Sequence, residues 1–491
     1  MACLSPSLYA RWRAPQFAPS ALHEAQAPAA PGERLLQQIW LHQRLVRDGL
    51  RSLDGRPLRV LHPGFWNHEA GPDFREAVVQ IGGEPAVSGD IELDLTLDCW
   101  RQHRHDQNPA YRNVRLHVVW QAPAGAATDL PTLALHCVLD SPLPELQAWL
   151  SGAVEPDLPA SQIGQCAGPL RALPGPWLVE LLKQAARVRL ESKAVQFQAR
   201  ARQAGWEQAL WEGLLTALGY KQNVWPMRRL GELVPRLAPA AELPSRSVLG
   251  LQARLLGVAG LLPAELTRAQ SATDRYMRRV WDDWWREREA FEDASVPRAA
   301  WRFHGLRPAN HPQRRLALAA HWLNDGNWLS RLETWFKAEV ASSRLAETLL
   351  DCLQVKQDEF WSWHWTLRAV RMARPQPLLG AQRVTDLAIN VILPWFWMRA
   401  VAGKNEPLRE RVEQRYFAWP AGEDNAVLRR ARQRLLGGGR PSLPRTAAMQ
   451  QGLLQIVRDF CDHSNALCED CRLPGLVKGL SLAPNKVVEA D

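Results

Sequence analysis

A chain of 491 residues, 46% hydrophobic and 23% charged, has the balance of a globular protein able to bury a sizeable core, and its length suits two unequal domains. The formal charge is +9, mostly arginine; a guanidinium pairs with two oxygens at once, which suits phosphate recognition, although GC-rich coding would raise arginine as well. Eight cysteines in no disulfide-framework spacing, no charged-then-apolar signal, and an apolar window (387–402) broken by Asn390, Pro394 and Arg399 exclude a secreted scaffold and a bilayer span, so the expected location is cytoplasmic, with no membrane partner.

Taken in order, residues 1–31 form an Ala/Pro-rich leader expected to be disordered. Residues 33–46 place Leu35, Leu36, Ile39, Trp40 and Leu45 mostly on one helical face. Strands are expected at Leu58–Leu61, Ala77–Ile81, Val87–Leu97, Val114–Trp120 and Thr132–Leu139, with Gly82-Gly83 as a hairpin or bulge signal. In Val87–Leu97, Ile91, Leu93 and Leu95 alternate with Glu92, Asp94 and Thr96, so the acidic residues share one face. A polar stretch with a short helix spans Asp98–Asn113. Residues 32–140 therefore make a small α/β domain and 141–176 a Pro-rich linker. From 177 to 460 strand signals vanish, and helices are expected at Pro176–Arg202, Trp206–Gly219, Ser247–Leu262, Asp274–Phe291, Pro312–Leu323, Leu329–Val340, Val384–Ala402 and Thr446–Phe460. The fold class is α+β: a small mixed-sheet domain, then a large irregular all-α domain, a Cys/His knuckle at 461–474 and a tail at 475–491.

Gly64 to Trp120 holds the densest chemistry. Asp73, Glu92, Asp94, His103, His105, Asp106 and His117 fall at spacings that can converge. Asp73 leaves a G-P turn into one strand and Glu92 lies in the next, so a hairpin can bring the two carboxylates together around Mg²⁺ or Mn²⁺. Such an ion lowers the pKa of bound water and stabilises charge on a phosphate in flight. His105 or His117 would then position water or protonate a leaving oxygen. The competing reading is ordinary: exposed strand faces carry acids routinely, Pro-Asp is a common turn dipeptide, and a strand histidine such as His117 is often a satisfied core residue. His62 and His136 read as structural.

The order helix, strands, Pro72-Asp73, then Glu92-Leu93-Asp94 on the neighbouring strand, helix and strand resembles the PD-(D/E)XK nuclease superfamily. That resemblance implies Asp73 and Glu92 as metal ligands. Asp94 stands where the superfamily has lysine, and no lysine precedes Lys183; His117 or His105 would have to take its role. The chain also resembles a bacterial domain-of-unknown-function family through Trp66-Asn67, Gly71–Phe74, Gly89–Glu92, His103–Tyr111, Leu116–Val119, Leu255–Leu262, Arg307–Pro312, Ile389–Pro394 and the C-terminal cysteines, a resemblance that covers nearly everything after the leader. That family carries no assigned activity.

Near the end, Cys461, His463, Cys468 and Cys471 read C-x-H-x₄-C-x₂-C, four ligands for a structural Zn²⁺. The C-x₆-C-x₂-C part is also similar to three of the four ligands of iron–sulfur DNA glycosylases, the last being missing; plain thiols are the third option. Arg307, Arg314 and Arg315 surround a helix N-terminus as a candidate phosphate site, with inter-helix salt bridging as the alternative. Lys221, Arg228 and Arg229 around Trp225, and Arg275, Arg278 and Arg279 before Trp281, mix cations with aromatics as single-strand binders do, although helical tryptophans more often pack in a core. The expectation is a metal-dependent phosphodiesterase on nucleic acid, DNA foremost. A catalytically degenerate nucleic-acid-binding or scaffold protein is the alternative, and a hydrolase of small phosphates fits the same residues.

Overall fold

The computed structural model describes residues 4–17, 31–47, 49–67, 71–123, 126, 128–150, 163–239, 247–266, 272–355, 357–437, 443–461, 468 and 471–482. The expected α+β architecture is present, with a six-stranded mixed sheet first and helices thereafter. The strands are β1 (Leu58–His62), β2 (Phe65–Trp66), β3 (Phe74–Ile81), β4 (Val87–Asp94), β5 (Val114–Val119) and β6 (Thr132–Ala134), in the order β1-β3-β4-β5-β6 with β2 also on β3. The β1, β3 and β4 neighbours run antiparallel, whereas β4–β5 and β5–β6 are parallel.

Period-two alternation decides which side chains enter the apolar core. Ile91 and Leu93 of β4, Leu116 and Val118 of β5 and Leu133 of β6 join Leu36, Ile39 and Trp40 of the helix Glu33–Leu41 in one apolar core. The residues between them, Glu92, Asp94 and His117, therefore face the other side. β3 breaks its own alternation: Phe74 and Ala77, three apart, both reach the core. A bulge accounts for this, with a register shift between them and Glu76 at φ 57°. Its effect is to leave Asp73 beside Glu92 rather than beneath the sheet. Gly89, two residues before Ile91, lies so close to β5 that a Cβ would stand 2.7 Å from the Asn113 carbonyl oxygen. The close approach of the crossover chain requires glycine there.

A second, larger core is helical, built on Gly175–Ala204 packed against Ala447–Phe460. Trp322, Trp328, Trp361, Trp395 and Trp419 are fully buried in it, so these tryptophans are packing residues. Ala381–Ala402 is long and apolar enough to cross a membrane, and 72% of its apolar window is buried in the protein. Its middle is a π-helical turn, Ala388–Ile392, just before Pro394, which supplies no N–H to the ladder.

Two expectations about organisation change. Within the leader, Leu8–Phe17 is a helix, and Tyr9 is fully buried with its hydroxyl donating to Asp459 Oδ2 at 2.6 Å. The reason is a partner at the far end of the chain, since Arg13 also reaches Asp459 at 2.9 Å. Within the expected linker, Leu143–Leu150 is a helix that sends Leu146 into the sheet core, and Ala167–Ala172 belongs to the helical core.

Candidate metal centre

The polar face of β4 carries the site. Asp73 is fixed from two sides: Gln37 Nε2 donates to its Oδ1 at 2.7 Å and Leu93 N–H to its Oδ2 at 3.0 Å. Its own N–H donates to Glu92 Oε2 at 3.1 Å, so the two carboxylates expected to converge are neighbours. Burial pushes Asp73 up to about 6 and, with Asp73 and Asp94 adding repulsion, pushes Glu92 up to about 9. Asp73, Asp94 and Glu33 all push Glu92 the same way. A divalent cation would offset that repulsion.

Asp94 uses its two oxygens differently. Oδ2 lies 2.9 Å from His117 Nε2, on the parallel neighbour β5, and Oδ1 lies 3.6 Å from His103 Nδ1. One ligand atom each from Asp94, His103 and His105 lie within 4.8 Å of one another. His105 is 8% exposed, and neither ring nitrogen makes a hydrogen bond. Its Nε2 stands 3.2 Å from Glu92 Oε1, close enough for charge attraction but out of hydrogen-bond alignment. A buried, unbonded imidazole facing carboxylates fits a metal ligand.

The turn that makes this possible is local. The helix Cys99–Gln102 ends with His105 N–H donating to the Trp100 carbonyl and Arg104 N–H to the Arg101 carbonyl, with Arg104 at φ 57°. This is a Schellman closure with arginine in the left-handed position usually taken by glycine. It folds His105 back onto Trp100 (ring centroids 5.3 Å apart), while Tyr111 stacks on its other side at 4.0 Å. Burial lowers the His105 pKa and raises that of Tyr111 to about 12. Beside the centre opens a cleft of about 640 Å³ lined by Thr96, Trp100, Arg101, His117, Thr132 and His136 among others.

All five residues expected to be catalytic, Asp73, Glu92, Asp94, His105 and His117, thus meet on one face. Among the described residues, Asp94, His103 and His105 bring three donor atoms within 4.8 Å of one another, and the Asp73–Glu92 pair lies beside them. In the sequence His103 stands out only as one member of the cluster, and Gln37 and Trp100 carry no signal in their local sequence.

The phosphate site expected at Arg307, Arg314 and Arg315 is corrected. Arg314 is fully buried, and its guanidinium donates to the carbonyls of Trp361, His364 (3.1 Å), Gln376 (2.8 Å) and Pro377 (2.9 Å). Arg315, 3% exposed, donates to the Leu378 carbonyl and to Asn310 Oδ1, both at 2.8 Å. These forks satisfy an irregular segment whose carbonyls have no ladder partners. Arg307 pairs with Glu423 at 3.1 Å. Of the basic group around Trp225, Arg228 donates to the His42 carbonyl and Arg229 pairs with Glu232, so both hold the fold. At the C-terminus Cys461 is buried, Cys468 and Cys471 are half-buried, and His463 lies outside the described residues.

A family model described as "Protein of unknown function (DUF2851)" matches residues 33–425, from the helix bearing Gln37 through most of the helical domain. The chain belongs to the DUF2851 family. No curated protein and no solved structure matches it. The DUF2851 match takes in every donor of the sheet centre and Cys166, and it ends before Cys461.

Proposed function

We propose that the sheet domain is a divergent metal-dependent phosphodiesterase acting on nucleic acid. The observation that carries the reading is the convergence of Asp73, Glu92, Asp94, His103 and His105 on one face, with Glu92, Asp94 and His105 buried and His103 open to solvent. Asp94, His103 and His105 would hold the cation, with Glu92 and Asp73 beside them. When bound, Mg²⁺ or Mn²⁺ supplies an activated water and stabilises charge on the phosphate. Gln37 and the Leu93 amide hold Asp73 in place; His117 holds Asp94 and lines the cleft. A carboxylate-oriented histidine next to a cleft is suited to moving a proton at Nε2 or Nδ1. Arg101, Arg104 and Arg112, exposed on the segment that carries the histidine pair, offer charge to a phosphate backbone. The antiparallel β1-β3-β4 run followed by parallel β5 supports kinship with PD-(D/E)XK nucleases.

Asp94 at the lysine position favours a second reading, a degenerate domain that binds nucleic acid without cutting it. Incubating linear duplex and single-stranded DNA with the full chain in Mn²⁺ or Mg²⁺, beside Asp73→Ala and His117→Ala, separates the two. Cleavage lost in both variants is expected, with His117→Ala also weakening Mn²⁺ affinity by about 10–100-fold, as supporting groups behind a ligand do. Salt-dependent retention of DNA without cleavage would leave the binder; neither cleavage nor retention would end both readings.

A further inference from the structure

Cys166 is remote from the C-terminal cysteines in sequence and beside them in space. It precedes the helix Ala167–Ala172, which packs on Leu473–Leu482, the helix after Cys471, and on Ala426–Leu436. Arg434 of the latter ties the two ends together. Its carbonyl accepts from Gly164 N–H at 2.8 Å, two residues before Cys166, and its Nη2 donates to Cys468 Sγ at 3.1 Å. Cys166 and Cys461 are each 4% exposed in the same core, and Cys471 packs against it. Burial pushes the Cys166 thiol up to about 12, and Cys461, Cys471 and Cys468 all push it the same way, so every one of these sulfurs is within electrostatic reach. None of the four is in a disulfide. Cys468 adopts φ 62°, a left-handed conformation that a residue with a β-carbon seldom takes.

Single buried cysteines are common as small apolar side chains. Four drawn from both ends of the helical domain to one spot, with a guanidinium alongside, are the donor set of a soft metal centre. We propose that Cys166, Cys461, Cys468 and Cys471 form a four-thiolate centre that holds an iron–sulfur cluster and fastens the C-terminal segment to the start of the helical domain. Cys166 supplies the ligand that C-x₆-C-x₂-C by itself leaves open, and His463 is not required. The spacing is wider than one zinc ion needs. Among the described residues no three of these sulfurs fall within 4.8 Å of one another. Zinc with bonds of about 2.3 Å needs its thiolates roughly 3.8 Å apart, whereas a polynuclear cluster separates its thiolates by its own body. Loading releases the thiol protons, and the Arg434 charge offsets part of the negative charge that results; its hydrogen bond to Cys468 Sγ is of the kind that tunes such clusters.

The test is iron, acid-labile sulfide and zinc per chain, with the visible absorption spectrum, on the full chain purified without oxygen. Iron and sulfide in equal amounts, several per chain, are expected. Cys166→Ser and Cys468→Ser should lose most of both, while His463→Ala and Cys137→Ser keep them. X-ray absorption at the iron edge of the unaltered protein, which does not depend on a variant folding, should show an all-sulfur shell. Zinc in a four-sulfur shell would overturn the cluster. A shell containing nitrogen, or full loading of Cys166→Ser, would overturn the ligand set; no metal even after reconstitution with iron and sulfide would overturn both.

Discussion

Asp358 keeps a charge inside the helical core, at 7% exposure, by accepting hydrogen bonds from every side. Gln252 Nε2 and His321 Nε2 each lie 2.8 Å from its Oδ2, and the Phe360 and Trp361 amides donate to Oδ1 at 2.8 and 2.6 Å. Burial alone would raise its pKa, but those bonds outweigh it and hold the carboxyl below the usual range. A depressed folded pKa means that the stabilisation is complete above the unfolded value, about 3.9, and is lost as pH falls through the folded one. Asp358→Asn should therefore cost about 2 kcal/mol at neutral pH and flatten the acid limb of stability against pH, as thermal melts between neutral and strongly acidic pH would register. At this scale the sequence is readable where partners are near. The alternation of Glu92 and Asp94 with Ile91 and Leu93 already assigns the acids to one face, and the parallel pairing of Glu92 with His117 completes it. Arg314 and Arg315 show the opposite case, because their acceptors lie in an irregular segment with no periodicity to announce it.

Among elements, the crossing of Ala447–Phe460 over Gly175–Ala204 is set by one residue. A Cβ on Gly452 would stand 2.2 Å from the Leu182 carbonyl oxygen, so the two backbones meet only because nothing projects there. Gly452→Ala should force the helices apart at a cost of about 1–3 kcal/mol, seen as a lower Tm. Gly479, in Leu473–Leu482, has nothing within 4 Å of its would-be Cβ, and Gly479→Ala should be neutral or gain up to about 1 kcal/mol through helix propensity. The strands and most long helices were legible because their apolar residues repeat at two or at three to four. Glu406–Ala418 and Ala426–Leu436 were not among the expected helices; charged residues, six of thirteen and four of eleven, interrupt their apolar spacing. The leader helix escaped for another reason. Its Ala/Pro-rich composition argues for disorder, and only the distant Asp459 gives Tyr9 and Arg13 a reason to settle.

The whole molecule is two apolar cores joined largely through charge. From the segment after the helix Glu33–Leu41, Arg47 pairs with Glu232 and lies 3.7 Å from Glu212, both in the helical domain. Arg302 pairs with Glu76 of β3, and Arg59 of β1 reaches Asp293 at 3.8 Å. These contacts are not equal. Arg47, Glu212 and Glu232 have side chains 15%, 5% and 9% exposed, whereas Arg59 and Asp293 are 43% and 55% exposed. A buried pair broken on one side leaves an uncompensated charge, which costs about 3–5 kcal/mol; Arg200, already on Glu212 at 2.8 Å, and Arg229, on Glu232 at 3.1 Å, should hold the loss to the lower end. An exposed pair is screened by water and salt and contributes roughly 0–1 kcal/mol. Calorimetry of Arg47→Ala should accordingly find the sheet domain melting ahead of the helical one, while Arg59→Ala melts like the unaltered chain. If Arg47→Ala left a single unshifted transition, the apolar contacts, Val195 against the sheet core and Leu146 beneath it, would be what joins the domains instead.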